Sequence, residues 1–191
     1  MSIMLYIYIG GTLLLLGWIV NYFDRNAVSR IRLTYDEYPS MRPIRIPTKG
    51  KGFWGAVWMW FGSTRNWEIT KDWKYKLNGA EYCIPKGFTF DGASMPKFAR
   101  SWLSPVGVML IGGLIHDYGY KYQTLLYGNK ESINGIHDQK YMDQTFRDVN
   151  IDVNGFKLLN YACYYMLRLF GFLAWNGHRK RNCQWEESVK V

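Results

Sequence analysis

Ionisable side chains beside a long apolar run are the residues of this chain best suited to chemistry. His116 and Asp117 lie at the end of residues 106–117, and the part before them contains no charged side chain. Burying an ionisable group is costly unless it is paired, hydrogen-bonded or bound to a metal. His116 and Asp117 therefore belong either to a structural polar network or to a functional site.

Three more polar residues complete the candidate site. Asp91 and Ser94 lie in a loop that precedes the apolar run, and Asp143 lies on a predicted helix further along the chain. We predict catalytic roles for His116 as a general base, Asp117 as its orienting group or a metal ligand, Asp91 as a carboxylate facing His116, and Ser94 as a nucleophile or substrate contact. A divalent metal ion is the cofactor that Asp91, His116 and Asp143 would bind together.

Each of these roles has a structural alternative. Asp and Ser at the spacing of Asp91 and Ser94 often cap helices or stabilise turns through bonds to the backbone. His116 could simply bond to Asp91 and fix the loop to the helix. Asp143 could form a surface salt bridge. The sequence leaves these alternatives open.

The order of the motifs resembles a known family of phage and prophage proteins, called domain of unknown function 1353. The resemblance covers roughly residues 65–176. It implies a small fold of strands and helices and an inward position for Asp143, but no activity. Phe90 departs from the pattern, which usually has Thr before the Asp. The matching residues are Gly87-Phe88-Thr89-Phe90-Asp91-Gly92-Ala93-Ser94-Met95-Pro96, His116-Asp117-Tyr118-Gly119-Tyr120, Asp143, Phe146, Arg168, Phe170, Gly171 and Trp175.

The N-terminal segment predicts a membrane anchor. Residues 1–23 contain no Lys, Arg, Asp or Glu, and residues 4–23 are long enough to cross a bilayer as a helix. Basic residues follow between positions 24 and 51, so the positive-inside rule predicts a single-pass protein with its C-terminal domain in the cytoplasm. The three cysteines show no close-pair spacing, which favours reduced thiols over a disulfide framework.

The formal charge of +9 lies entirely outside that segment. A basic domain beside a membrane is expected to contact anionic lipid head groups. Nucleic acid is disfavoured as a partner, because the chain contains no recognised nucleic-acid motif. The basic cluster at residues 178–181 is interpreted as a solvated tail rather than a binding patch.

Hydrophobic periodicity and turn residues predict an α+β fold, with a small antiparallel sheet packed on a helical bundle and preceded by the transmembrane helix. Strands are expected at residues 67–75 and 80–84, and helices at about 105–122, 137–149 and 155–175. We divide the chain into a transmembrane anchor (1–23), a basic linker with a Trp-rich interfacial segment (24–64), a globular α+β domain (65–176) and a basic tail (177–191).

Two functions are compatible with these patterns. In the first, the protein is a membrane-anchored, phage-type hydrolase of unknown substrate that depends on a metal or on the His and Asp residues. In the second, it is a non-enzymatic phage membrane protein that binds a host or virion protein. The deciding feature is whether the ionisable groups surround an open pocket or are sealed in the core.

Overall fold

The computed structural model describes residues 8, 11–12, 14–19, 22, 29–45, 50–55, 57, 66–90 and 109–190. Within these residues the strands are β1 (Leu33–Thr34), β2 (Met41–Pro43), β3 (Trp67–Ile69), β4 (Trp73–Leu77), β5 (Ala80–Ile84) and β6 (Thr89–Phe90). The helices that follow them are α1 (Leu110–Tyr122), α2 (Gln139–Asn154), α3 (Lys157–Phe170), α4 (Phe172–Lys180) and α5 (Glu186–Val189).

The strands form two small antiparallel sheets rather than the one that the sequence predicts. One has the order β1-β4-β5 and the other the order β2-β3-β6. The predicted strand at residues 67–75 is divided between them, because β3 and β4 are separated at residues 70–72. The α+β class is confirmed, with a second sheet added.

The hairpin β4–β5 is specified by its local sequence. Trp73, Tyr75 and Leu77 are buried while the lysines between them are exposed, so this strand has one core face. Asn78 and Gly79 connect the strands with φ values of 50° and 88°. Positive φ at both positions is the requirement of a tight hairpin turn, and Asn-Gly is the favoured pair there.

Strands β1 and β2 lie within the segment that the sequence analysis assigns to a linker. Leu33 of β1 pairs with Leu77 of β4, and Pro43 of β2 pairs with Trp67 of β3. Each therefore adds a strand to a sheet of the globular region. Trp54, from the Trp-rich segment, is 79% exposed, whereas Trp58 and Trp60 lie outside the described residues.

The helices pack around α1, which is buried along nearly its whole length. Helix α2 packs against α1, α3 packs against α2, and α4 returns to contact α1. Asp138 begins α2 by accepting a bond from the Tyr141 amide at 2.8 Å. The helix predicted at about residues 137–149 extends to Asn154 instead, and it ends at Gly155, whose φ of 73° suits glycine.

The predicted transmembrane anchor at residues 1–23 is wrong, and so is the single-pass membrane localisation with a cytoplasmic C-terminal domain. Over the described part of the chain, no helix is both long enough and apolar enough to cross a membrane. Crossing requires about 20 consecutive apolar residues in one helix. In the N-terminal segment, helical structure is described at positions 8, 11–12, 14–19 and 22.

Candidate functional site

Two glycines let α1 and α2 approach closely and so bring their polar residues together. A Cβ atom at Gly112 would overlap the side chain of Asn150, and one at Gly119 would overlap the sulfur of Met142. Between these two contact points, His116 of α1 faces Asp143 of α2. The spacing of small residues along α1 therefore positions the candidate site.

Asp143 is the centre of this site and is fully buried. Its Oδ1 lies 3.1 Å from Nε2 of His116 and accepts a bond from the Tyr120 hydroxyl at 2.5 Å. Its Oδ2 accepts a bond from Nη1 of Arg168 at 2.8 Å and a longer one, 3.5 Å, from Nε2 of Gln139. We call these five residues the Asp143 cluster. Its members come from α1, α2 and α3.

His116 is placed between two carboxylates. Its Nε2 faces Asp143, and its Nδ1 lies 3.6 Å from Oδ1 of Asp117. Asp117 follows His116 directly in the sequence, and a helix separates adjacent positions by about 100°. The side chains nevertheless approach each other, so the imidazole ring has a carboxylate oxygen near each nitrogen.

Aromatic rings enclose the imidazole. The ring of Tyr120 lies 3.9 Å from that of His116, centroid to centroid, and Phe146 presents its edge at 5.3 Å. Trp175 of α4 packs edge-on against Tyr120 at 5.1 Å. His116 is only 2% exposed. These rings are part of the environment that buries the imidazole.

The charged groups in and beside the cluster shift one another's pKa values. Burial alone would lower the pKa of His116, but the bonds and charges of Asp117 and Asp143 outweigh burial and raise it. Burial alone would raise the pKa of Asp143, but His116, Tyr120 and Arg168 outweigh it and lower that pKa. Burial and the neighbouring Asp143 raise the pKa of Tyr120, which keeps its hydroxyl protonated as a donor. The cluster therefore favours a protonated His116 beside an ionised Asp143.

The structure brings together some of the residues that the sequence singles out. His116, Asp117 and Asp143 lie side by side, whereas Asp91 and Ser94 are outside the described residues. Among described residues, no group of three or more His, Cys, Asp or Glu side chains could hold a metal ion. The catalytic roles of all these residues, and the metal set that includes Asp91, stay predictions.

Three members of the Asp143 cluster were not assigned to the site from the sequence. Arg168 carried a usable signal, because it is one of only two charged residues in positions 155–175 and a charge in an apolar helix needs a partner. Tyr120 lies four residues after His116 and so shares its face of α1. Gln139 carried no signal, since its role depends on the distance between α1 and α2.

The family assignment rests on a match over residues 67–166 to the family described as "Protein of unknown function (DUF1353)". This match spans more than half of the 191 residues, and the chain belongs to this family. It confirms the resemblance to this family, and the matched range ends before the last motif residues, from Arg168 to Trp175. No curated protein and no solved structure matches the chain.

Proposed function

We propose that this protein is a non-enzymatic binding protein, in which the Asp143 cluster stabilises the helices and a separate surface binds a protein partner. The proposal follows from the environment of His116. Both ring nitrogens of this buried side chain face carboxylate oxygens, at 3.1 Å and 3.6 Å. Such an arrangement suits a structural imidazolium that donates to Asp143 and is stabilised by the nearby charge of Asp117.

A histidine that acts as a base or a metal ligand needs a nitrogen lone pair directed at the proton or the metal. In the protonated ring favoured by Asp117 and Asp143, both nitrogens carry hydrogens. In the neutral ring, the remaining lone pair would point at a carboxylate oxygen. Neither form directs a lone pair to a substrate.

Access to the imidazole supports the same interpretation. A general base must come within hydrogen-bonding distance of the proton that it removes. Tyr120 and Phe146 cover the imidazole, and Asp143 behind it has no exposed surface. Arg168, with 34% of its side chain exposed, and Gln139 are the partly exposed members of the cluster, and both donate to Asp143 rather than act as bases.

The sequence contains two His-Asp pairs, His116-Asp117 and His137-Asp138, and replacing the histidine of each pair tests this proposal. His116→Ala removes a buried partner of Asp143, and we expect it to lower the free energy of unfolding by about 1–3 kcal/mol. His137→Ala is the matched control, because His137 also precedes an Asp but stacks on Tyr141 at the start of α2. Urea unfolding and metal analysis of the full-length proteins give the two readouts.

Stoichiometric metal in the wild-type protein that is lost in His116→Ala, with little change in stability, would overturn the proposal. That outcome would support the metal-dependent hydrolase. A loss of stability confined to His116→Ala, without bound metal, would support a structural role for the cluster.

A further inference from the structure

Helices α3 and α4 form one continuous helical rod, and this rod has an apolar outer face. The Gly171 amide donates to the Leu167 carbonyl at 2.6 Å, and the Trp175 amide donates to the Gly171 carbonyl at 3.0 Å. Helical hydrogen bonds therefore continue across the junction. At 1.5 Å per residue, the rod is about 36 Å long.

Five exposed residues define what we call the outer stripe. Leu169 is 64% exposed and Leu173 is 66% exposed, and the other members are similarly accessible. The five lie at successive intervals of four, three, four and four residues, so they follow one line along the rod. The members are Leu158, Ala162, Tyr165, Leu169 and Leu173.

The outer stripe lies opposite the face that packs on the domain. Asn160, Cys163, Tyr164 and Leu167 are the buried residues of α3. With about 100° between successive positions, the centre of the stripe is about 180° from the centre of this buried face. The stripe is therefore a second apolar face and not the margin of the core.

An apolar outer face is unusual for a surface helix. Surface helices normally direct polar residues to solvent, and a helix that is apolar all round is normally buried. Contiguous apolar patches on the surface mark contacts with other molecules. We therefore expect another molecule to bind over the outer stripe.

The charges around the stripe identify the chemistry of that occupant. The sequence contains no Asp or Glu between Asp152 and Glu186. The charged residues within the rod and directly after it are basic: Lys157, Lys180 and Arg181 are exposed, and Arg168 is one-third exposed. An occupant with acidic residues beside its own apolar surface would complement this border.

We infer that the outer stripe binds an amphipathic α-helix of a protein partner, whose apolar ridge is bordered by Asp and Glu. This inference rests on the proposed binding function and names the class of partner. The intervals of three and four residues match the ridge of a second helix packed along the rod. A second copy of this chain fits less well, because it would set basic borders together and each copy carries a charge of +9.

The test uses the full-length protein and a labelled helical peptide of about 20 residues, enough for five turns. Its apolar ridge is flanked by Glu in one version and by Lys in the other. Fluorescence anisotropy is expected to show binding of the Glu version at least about tenfold tighter than that of the Lys version. Added salt should weaken that binding.

Matched variants locate the peptide. Leu169→Glu places a charge in the middle of the stripe and should weaken binding by about tenfold or more. Tyr165→Glu should do the same, and it serves as the second variant if Leu169→Glu does not fold. Ile136→Glu is the control, because Ile136 is an equally exposed apolar residue, at 67%, before α2. It should leave binding unchanged.

Four outcomes would overturn this inference. Equal or absent binding of the two peptides would show that the stripe binds no helix. Binding only to vesicles of phosphatidylcholine and phosphatidylglycerol would assign the stripe to lipid, and self-association by sedimentation that Leu169→Glu abolishes would assign it to a second copy. Peptide binding only after deletion of residues 1–23 would assign it to the chain's own N-terminal segment.

The metal analysis of the same samples separates this inference from the proposed function. Bound metal that depends on His116 would overturn the proposed function, whatever the peptide does. A metal-free protein that binds neither peptide would overturn the inference about the stripe alone.

Discussion

Nε2 of His116 lies 3.1 Å from Oδ1 of Asp143, and both side chains are buried where α1 and α2 meet. This contact joins residues 27 positions apart in the sequence. With Asp117 on its other side, His116 lies between two carboxylates that outweigh its burial among apolar and aromatic side chains and raise its pKa. The relationship makes the stability of the protein depend on pH in a definite direction.

The first prediction concerns that pH dependence. The pKa of His116 is raised in the folded state, so its stabilising effect is complete below its ordinary pKa of about 6.5 and is lost as pH rises through the folded value. The pKa of Asp143 is lowered, so its effect is complete above about 3.9 and is lost as pH falls through the folded value. The pair therefore stabilises most between these limits.

Urea unfolding of the wild type and His116→Gln across this range measures the effect. The stability difference between the two proteins should shrink as pH rises above about 6.5. A difference that stays constant from acid to alkaline pH would show that folding does not shift the pKa of His116.

The second prediction concerns Asp143 itself. Asp143→Asn removes a buried negative charge from beside His116 and Arg168, and we expect a loss of about 3–5 kcal/mol in the free energy of unfolding. Asp72→Asn is the control. Asp72 pairs with Lys130 at 2.6 Å, but both side chains are more than one-third exposed, so the loss there should be below about 1 kcal/mol. Similar losses in the two variants would contradict the central role of Asp143.

The third prediction compares two glycines of the α3–α4 rod. A Cβ atom at Gly171 would overlap the Tyr120 hydroxyl and approach Gln139 Nε2 to 3.0 Å, so Gly171→Ala should destabilise the fold by about 1–3 kcal/mol. A Cβ atom at Gly177 would meet only Arg181 Nη2 at 3.9 Å. Gly177→Ala should therefore stabilise the protein slightly, by about 0.5–1 kcal/mol, because Ala favours helix. Thermal unfolding should shift in opposite directions, and a shared direction would argue against the packing described at Gly171.

The fourth prediction concerns a buried arginine on α2. Arg147 donates to both carboxylate oxygens of Asp148, at 2.7 Å and 3.1 Å, and it lies 4.8 Å and 5.0 Å from the rings of Tyr161 and Tyr164. Lysine cannot reproduce a planar two-point contact that also stacks on aromatic rings. Arg147→Lys should therefore cost about 1–3 kcal/mol.

Arg42→Lys is the comparison for this fourth prediction, since Arg42 makes a similar two-point contact with Glu68 on the surface. Its side chain is 67% exposed, so the change should cost less than about 1 kcal/mol. The prediction fails if chemical unfolding gives the same cost for both arginines.

Local elements of the fold could be predicted because local interactions specify them. Alternating burial in β4 and the Asn78-Gly79 turn involve residues that are neighbours in sequence, and the strand predicted at residues 80–84 is found there. The end of α2 was missed because it depends on packing. Ile151 is buried against other elements and carries the helix on to Gly155.

The N-terminal segment is a region where prediction from the sequence failed. The lack of charge in residues 1–23 favoured a membrane anchor, but composition alone does not set helix length, and over the described residues no helix is long and apolar enough to span a membrane. The contribution of residues 33–43 to both sheets was likewise hidden, since β1 and β2 are two and three residues long and pair with strands far along the chain.

The sequence by itself determined the family, through motifs that lie within residues 67–166, and it identified His116 and Asp143 as ionisable groups that need partners. Only the tertiary structure decided which side chains are those partners. Arg168 reaches Asp143 across 25 positions and Gln139 reaches the Tyr120 hydroxyl across 19. Such contacts depend on how closely α1, α2 and α3 approach one another, which the packing of whole helices sets and no short stretch of sequence encodes.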